Sequence, residues 1–253
     1  MTEPSEHLSD RYFDAAVALL QQVRNEERAG IRAAATAVAD AIAGGNRVFV
    51  FGAGHSSLPA QDVVYRAGGL ALINLLAVPG TVGIDVMPAT LGSALERVEG
   101  LAGAVLDTSP ARSGDVLFVI SLSGRNTLPV EMAQKARALG MTVIAVTSVV
   151  YAKETRSRHA SGTFLKDHCH IVIDSKIGIG DGELTDDAVP APFAPASTVV
   201  TSALMQAVMA TAATDLAARG VTPPMIRSGN VDGGHEWNGR IFEEYRERIF
   251  FRH

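Results

Sequence analysis

RVFVFGAGHSS, residues 47–57, decides the fold. Apolar residues run without polar alternation up to a glycine, and a loop of glycine, histidine and serine follows at once. An unalternated run suits a strand buried on both faces, the condition of a parallel sheet covered by helices. Four further runs repeat the pattern: ALINLLAV (71–78), DVLFVISL (115–122), TVIAVTSV (142–149) and HIVIDS (170–175). Helical stretches separate them. The predicted class is α/β, a doubly wound five-stranded parallel sheet flanked by helices, with long N- and C-terminal helices.

The helical stretches read as follows. Residues 9–43 are alanine-rich with charge on one side, and an interruption is expected near Gly30. LPVEMAQKARALG (128–140) spaces Val130, Ala133, Ala136 and Leu139 along one side and stops at Gly140, as a crossover helix would. STVVTSALMQAVMATAATDLAARG (197–220) opens on a Ser-Thr cap and is apolar nearly all round, which predicts burial, partly against another subunit. SKIGIGDGELTDDAVPAPFAPA (175–196) is long and rich in Gly, Asp and Pro, more often a functional loop than a decorative one. The organisation expected is one domain over 1–253: a helical arm (1–45), an α/β core (46–220) and a C-terminal loop and helix (221–253).

Composition excludes several partners. The chain has 253 residues, 47% of them hydrophobic, and a net charge of −5 with no basic run, so nucleic acid and anionic membranes have no electrostatic support. The acidic, polar start MTEPSEHLSD and the want of an apolar run of roughly 20 residues predict no membrane span and a cytoplasmic protein. The single cysteine, Cys169, reads as a packing residue in a reducing compartment. His168, Cys169 and His170 would point to alternate faces at a strand start, so no metal site is expected there. No cofactor is expected.

Ligands of such sheets bind beyond the carboxyl ends of the strands, where strand order reverses. GAGHSS (52–57) offers Gly54 for close approach and Ser56 as a donor, but it lacks the third glycine of a dinucleotide-binding loop. SLSGRNT (121–127) supplies the hydroxyls of Ser121, Ser123 and Thr127, the amide of Asn126 and the small Gly124 where a helix opens. Such groups either cap helices or bind phosphate together with the helix dipole. Two such loops one crossover apart favour phosphate.

GAGHSS followed by SLSGRNT resembles the sugar isomerase (SIS) domain over about residues 35–220. The resemblance implies the SIS fold and a phosphosugar ligand gripped by an SxSGxT loop. The family's threonine falls here on Asn126, with Thr127 displaced by one, so either is the donor. GAGHSS, VYRAGGLALIN (64–74), SRHASG (157–162) and SGNVDGGHEWN (228–238) resemble more closely the UPF0309-type subgroup. That resemblance implies a lyase that dehydrates N-acetylglucosamine 6-phosphate.

Such a reaction needs a base at C2 and an acid at the C3 hydroxyl. Related SIS etherases carry a glutamate about ten residues after the first loop's serine. Here that position, counted from Ser56, is Arg66, assigned to substrate binding, and the nearest acid is Asp62, one turn earlier. The remaining candidates are Glu236 and His235 in GGHEWN, and His55 beside Ser56. Glu236 and His235 belong either to a shaped loop completing a neighbouring subunit's site or to the approach to the last helix, IFEEYRERI. His55 orients the sugar, moves a proton or bonds the backbone. Glu183, and the pair Arg158 and His159, are secondary candidates. An aldose–ketose isomerase and a non-catalytic phosphosugar sensor stand as alternatives, and a homodimer or higher homo-oligomer is the expected assembly.

Overall fold

The structure, a computed structural model, describes residues 7–83 and 89–251, so the first six residues of the acidic start lie outside the described residues. Each apolar run forms a strand: β1 (Val48–Gly52), β2 (Ile73–Leu75), β3 (Val116–Ile120), β4 (Thr142–Thr147) and β5 (Ile171–Asp174). They pair in parallel in the order β2-β1-β3-β4-β5. The chain moves outward from β1 to β2 and then returns past β1 to β3. Strand order reverses there, and β1 and β3 end level, Gly52 opposite Ile120.

Strand residues alternate between two cores, which explains why the runs show no polar alternation. Val48, Val50, Phe118, Ile144 and Ile173 pack with α1 (Leu8–Glu26), α2 (Arg28–Ala43) and α8 (Ser197–Ala218). Phe49, Phe51, Leu117, Val119 and Val143 pack on the other face with α5 (Leu101–Thr108) and α6 (Thr127–Ala138). Short helices α3 (Ser57–Asp62), α4 (Thr90–Leu95) and α7 (Val150–Glu154) follow β1, β2 and β4.

Three expectations are corrected. The break between the first two helices falls at Glu27, not near Gly30. Glu27 accepts a hydrogen bond from the Asp174 N–H at 3.2 Å and pairs with Lys176 Nζ at 2.7 Å, so the junction is fixed to the end of β5. Gly30 instead allows close packing: a Cβ there would lie 3.3 Å from the Val172 carbonyl. Second, α8 is by length and composition long and apolar enough to cross a membrane, contrary to the expected want of such a run. Its buried residues, among them Val200, Leu204, Val208 and Leu216, pack against α1, α2 and α3, as a core helix does.

Third, GGHEWN is no shaped loop. α9 (Gly234–Glu244) begins seven residues before the Ile241 at which a last helix was read. Asn238 closes two 2.8 Å bonds with the main chain of Arg227, and Trp237 Nε1 donates to the Met225 carbonyl at 2.8 Å. These bonds draw the stretch into a helical first turn. The chain then runs to the amino ends of the strands, where Arg248 donates to the carbonyls of Ile42 and Asn46.

Candidate functional site

The crevice at the β1–β3 switch point is a cleft of about 360 Å³, a size suited to a small ligand. Gly54, His55 and Ser56 form one wall, and Ser121, Leu122 and Ser123 another. Local sequence shapes both loops. A Cβ on Gly52 would meet the Ser56 carbonyl at 2.1 Å, so only glycine lets the chain turn that sharply from β1 into α3. Gly124 has φ +56°, and a Cβ there would stand 2.9 Å from Thr147 Oγ1. Its N–H donates to Ser121 Oγ at 3.2 Å, closing the second loop.

The polar groups of the two loops divide by use. Ser57 is buried and fully occupied: its hydroxyl donates to the Gly54 carbonyl and accepts from the Gly83 N–H. The hydroxyls of Ser56 and Ser123 and the ring of His55 line the cleft with no hydrogen-bond partner among the described residues. Thr127 is 4% exposed and opens α6, whereas the Asn126 side chain reaches Glu96 and Arg158. Among the described residues that line the cleft there is no lysine or arginine, so an anion there would meet hydroxyls and the amino end of α6.

Glu96 is the group the sequence did not disclose. It follows α4, lines the cleft, and accepts a 2.7 Å bond from Asn126 Nδ2. A neighbouring lobe of about 270 Å³ shares Gly54, His55, Ser93 and Glu96. Glu96 lies in a segment without a motif and meets the loops only through the fold. Tyr151, Asp181 and Ser197 complete the far wall. The Asp181 carboxylate accepts from the N–H groups of Ala196 and Ser197 and from the Ser197 hydroxyl, capping α8 from the long loop.

The other candidates stand apart from this cleft. Asp62 pairs with Arg66 and accepts from Gln206 of α8 at 2.8 Å, so both brace α3 and neither lines the cleft. His235 and Glu236 are exposed on the first turn of α9 and do not line the cleft of their own chain. Glu183 lies beyond Asp181; burial, and then the Asp181 charge, hold its carboxyl above the ordinary range. Arg158 lies next to the second loop, its Nη1 donating to Asn126 Oδ1 at 3.2 Å. His168 bonds Thr163, and His170 accepts from the Val143 N–H, so the two rings take separate partners. Cys169 donates to the Leu165 carbonyl, and burial pushes its thiol up to about 12.

A family model for the SIS domain matches residues 11–148. A UPF0309 protein from Streptomyces griseus is 72% identical over 246 residues, covering 97% of this chain and 98% of that one. A UPF0309 protein from Geobacillus thermodenitrificans is 41% identical over 240 residues, covering 95% and 96%. Among solved structures, a phosphoheptose isomerase from Francisella tularensis superposes with a TM-score of 0.54 at 18% identity, covering 80% of this chain and 95% of that one. The Vibrio vulnificus NanR protein complexed with ManNAc-6P superposes with a TM-score of 0.50 at 15% identity, covering 97% and 71%. The five-stranded parallel sheet flanked by helices matches the SIS fold, and with a family model over residues 11–148 and relatives this similar over almost their whole length the chain belongs to the SIS-domain family and, within it, to the UPF0309 proteins.

Proposed function

We propose that the cleft binds a phosphosugar and that the protein dehydrates N-acetylglucosamine 6-phosphate. The observation that carries the reading is a carboxylate, Glu96, and an imidazole, His55, sharing one polar cleft with the unengaged hydroxyls of Ser56 and Ser123. In this reading the phosphate rests on the SLSGRN loop, where the α6 dipole and hydroxyls supply the positive potential. The open-chain sugar lies along the cleft with C2 toward Glu96.

The C1 aldehyde acidifies the C2 hydrogen, because the carbanion delocalises into an enolate. Glu96 takes that proton as general base. The enolate then re-forms the aldehyde, makes the C2–C3 double bond and expels the C3 hydroxyl, which takes a proton from His55 and leaves as water. Glu96 loses its proton to solvent and His55 regains one, so a single water departs and no redox partner is needed. Asp62 and Arg66 support α3 in this scheme. His235 and Glu236 take part only by reaching the cleft of a second subunit.

A second subunit is part of the proposal. Phe13 and Val17 on α1 are 66% and 48% exposed, beside an apolar hollow of about 500 Å³ lined by Leu20, Val23, Val200 and Leu204. Two copies of α1 laid antiparallel set the acidic start of one, with Asp10 and Asp14, against the basic end of the other, with Arg24, a self-complementary two-fold contact.

Incubation with N-acetylglucosamine 6-phosphate and mass analysis tests the activity. The expected product is the substrate less one water. A changed sugar of unchanged mass identifies the isomerase, and bound but unaltered ligand identifies a sensor; either outcome overturns the lyase.

A further inference from the structure

We infer that Asn126 and Arg158 are positioning residues that hold the Glu96 carboxylate in its working orientation; the inference rests on Glu96 acting as the base. Two hydrogen bonds meet at Asn126, and a third ties the Glu96 main chain to the start of α6. Its Nδ2 donates to Glu96 Oε2 at 2.7 Å, Arg158 Nη1 donates to its Oδ1 at 3.2 Å, and the Leu128 N–H donates to the Glu96 carbonyl at 2.9 Å. A guanidinium only donates, so Arg158 fixes which end of the amide faces it. The N–H end is left to Glu96 Oε2, which accepts from it.

One oxygen, Oε2, is thus occupied. The other, Oε1, faces Gly54, lying 3.7 Å from the point where a Cβ on that glycine would stand. That is the oxygen free to take a proton in the cleft. Arg158 is itself anchored: its N–H donates to the Arg125 carbonyl at 2.8 Å, and the turn that bears it is closed by Ser157 Oγ donating to the Thr163 carbonyl at 2.6 Å. The SRHASG segment therefore acts on the base through Asn126 without lining the cleft. The displaced threonine of the second loop has a physical counterpart: a hydroxyl in place of the Asn126 amide is shorter and cannot bridge Arg158 and Glu96.

The charged and titratable groups around Glu96 are His55 from the first loop, Arg125 and Arg158 beside the second, Tyr151 and Asp181 across the cleft, and Arg97 on its own segment. Of these, only Arg158 is linked to Glu96 through Asn126.

The test uses full-length N126D, R158A and R158K. N126D sets a second carboxylate against Glu96 and raises its pKa by like-charge repulsion. For N126D, kcat is expected to fall at least about tenfold with KM within about threefold, and the acid limb of the kcat profile to move up by about one pH unit. R158A frees the amide to turn, so kcat should fall about three- to tenfold, and R158K should recover most of the loss. A loss confined to KM with an unmoved pH profile overturns the inference and makes Asn126 a phosphate donor. Carboxyl 13C NMR, with the Glu96 signal assigned by its absence in E96Q, gives a reading free of turnover. An unshifted Glu96 titration in N126D and R158A also overturns the inference. Failure of the dehydratase reading shows differently, as wild-type protein that releases no water while the Glu96 titration still shifts between variants.

Discussion

Glu183 shows at the residue scale what burial and a neighbouring like charge do to a carboxyl. Burial and the nearby Asp181 charge raise its pKa above the ordinary value, so the folded chain binds this proton more tightly than the unfolded chain does. Its stabilising contribution is complete below the unfolded carboxylate pKa, about 4.3, and is lost as pH rises through the folded value. Glu183→Gln is expected to raise Tm at neutral pH and to flatten the dependence of Tm on pH between about 4 and 7, the carboxylate range and just above it. An equal pH slope in both proteins would contradict this. Residue chemistry was legible where it is local. Ser56 and Ser123 stand in motifs and line the cleft as their loops suggest, whereas Glu96 approaches Asn126 from 30 residues away and has no signature of its own. Asp62 and Arg66 carry chemistry-bearing side chains that the fold spends on each other and on Gln206.

Elements followed the sequence where periodicity and burial agree. The five apolar runs became strands because both sheet faces are covered, and the crossover helix stops at Gly140, which takes φ +85°. Capping was less legible. The Ser-Thr start of α8 reads as a local cap, yet its N-cap is Ala196 with no side-chain bond of its own, and the capping acceptor is Asp181. Asp181→Ala removes that acceptor and the favourable charge at the dipole's positive end. The expected cost is about 1 kcal/mol, seen as a lower urea midpoint with an unchanged m-value. An unmoved midpoint would show the cap to be dispensable. α9 was misplaced for a related reason: glycines before His235 read as loop, but long-range bonds from Asn238 and Trp237 stabilise the turn.

At the scale of the whole molecule, the two-layered core leaves one flank unpaired, where α1 turns Phe13 and Val17 outward beside the hollow it shares with α8. Sedimentation equilibrium is expected to give twice the 26.6 kDa chain mass, and Phe13→Glu to give a monomer. A wild-type monomer would also exclude His235 and Glu236 from any shared site. The sequence by itself determined the α/β class, the five strands and the two helix-opening loops, because runs, spacings and glycines are properties of neighbouring residues. Only the tertiary structure decided which carboxylates line the cleft, what caps α8 and where the C-terminal helix begins. Each of those depends on hydrogen bonds between segments far apart in the chain, and the geometry of such bonds exists only once the sheet has brought the segments together.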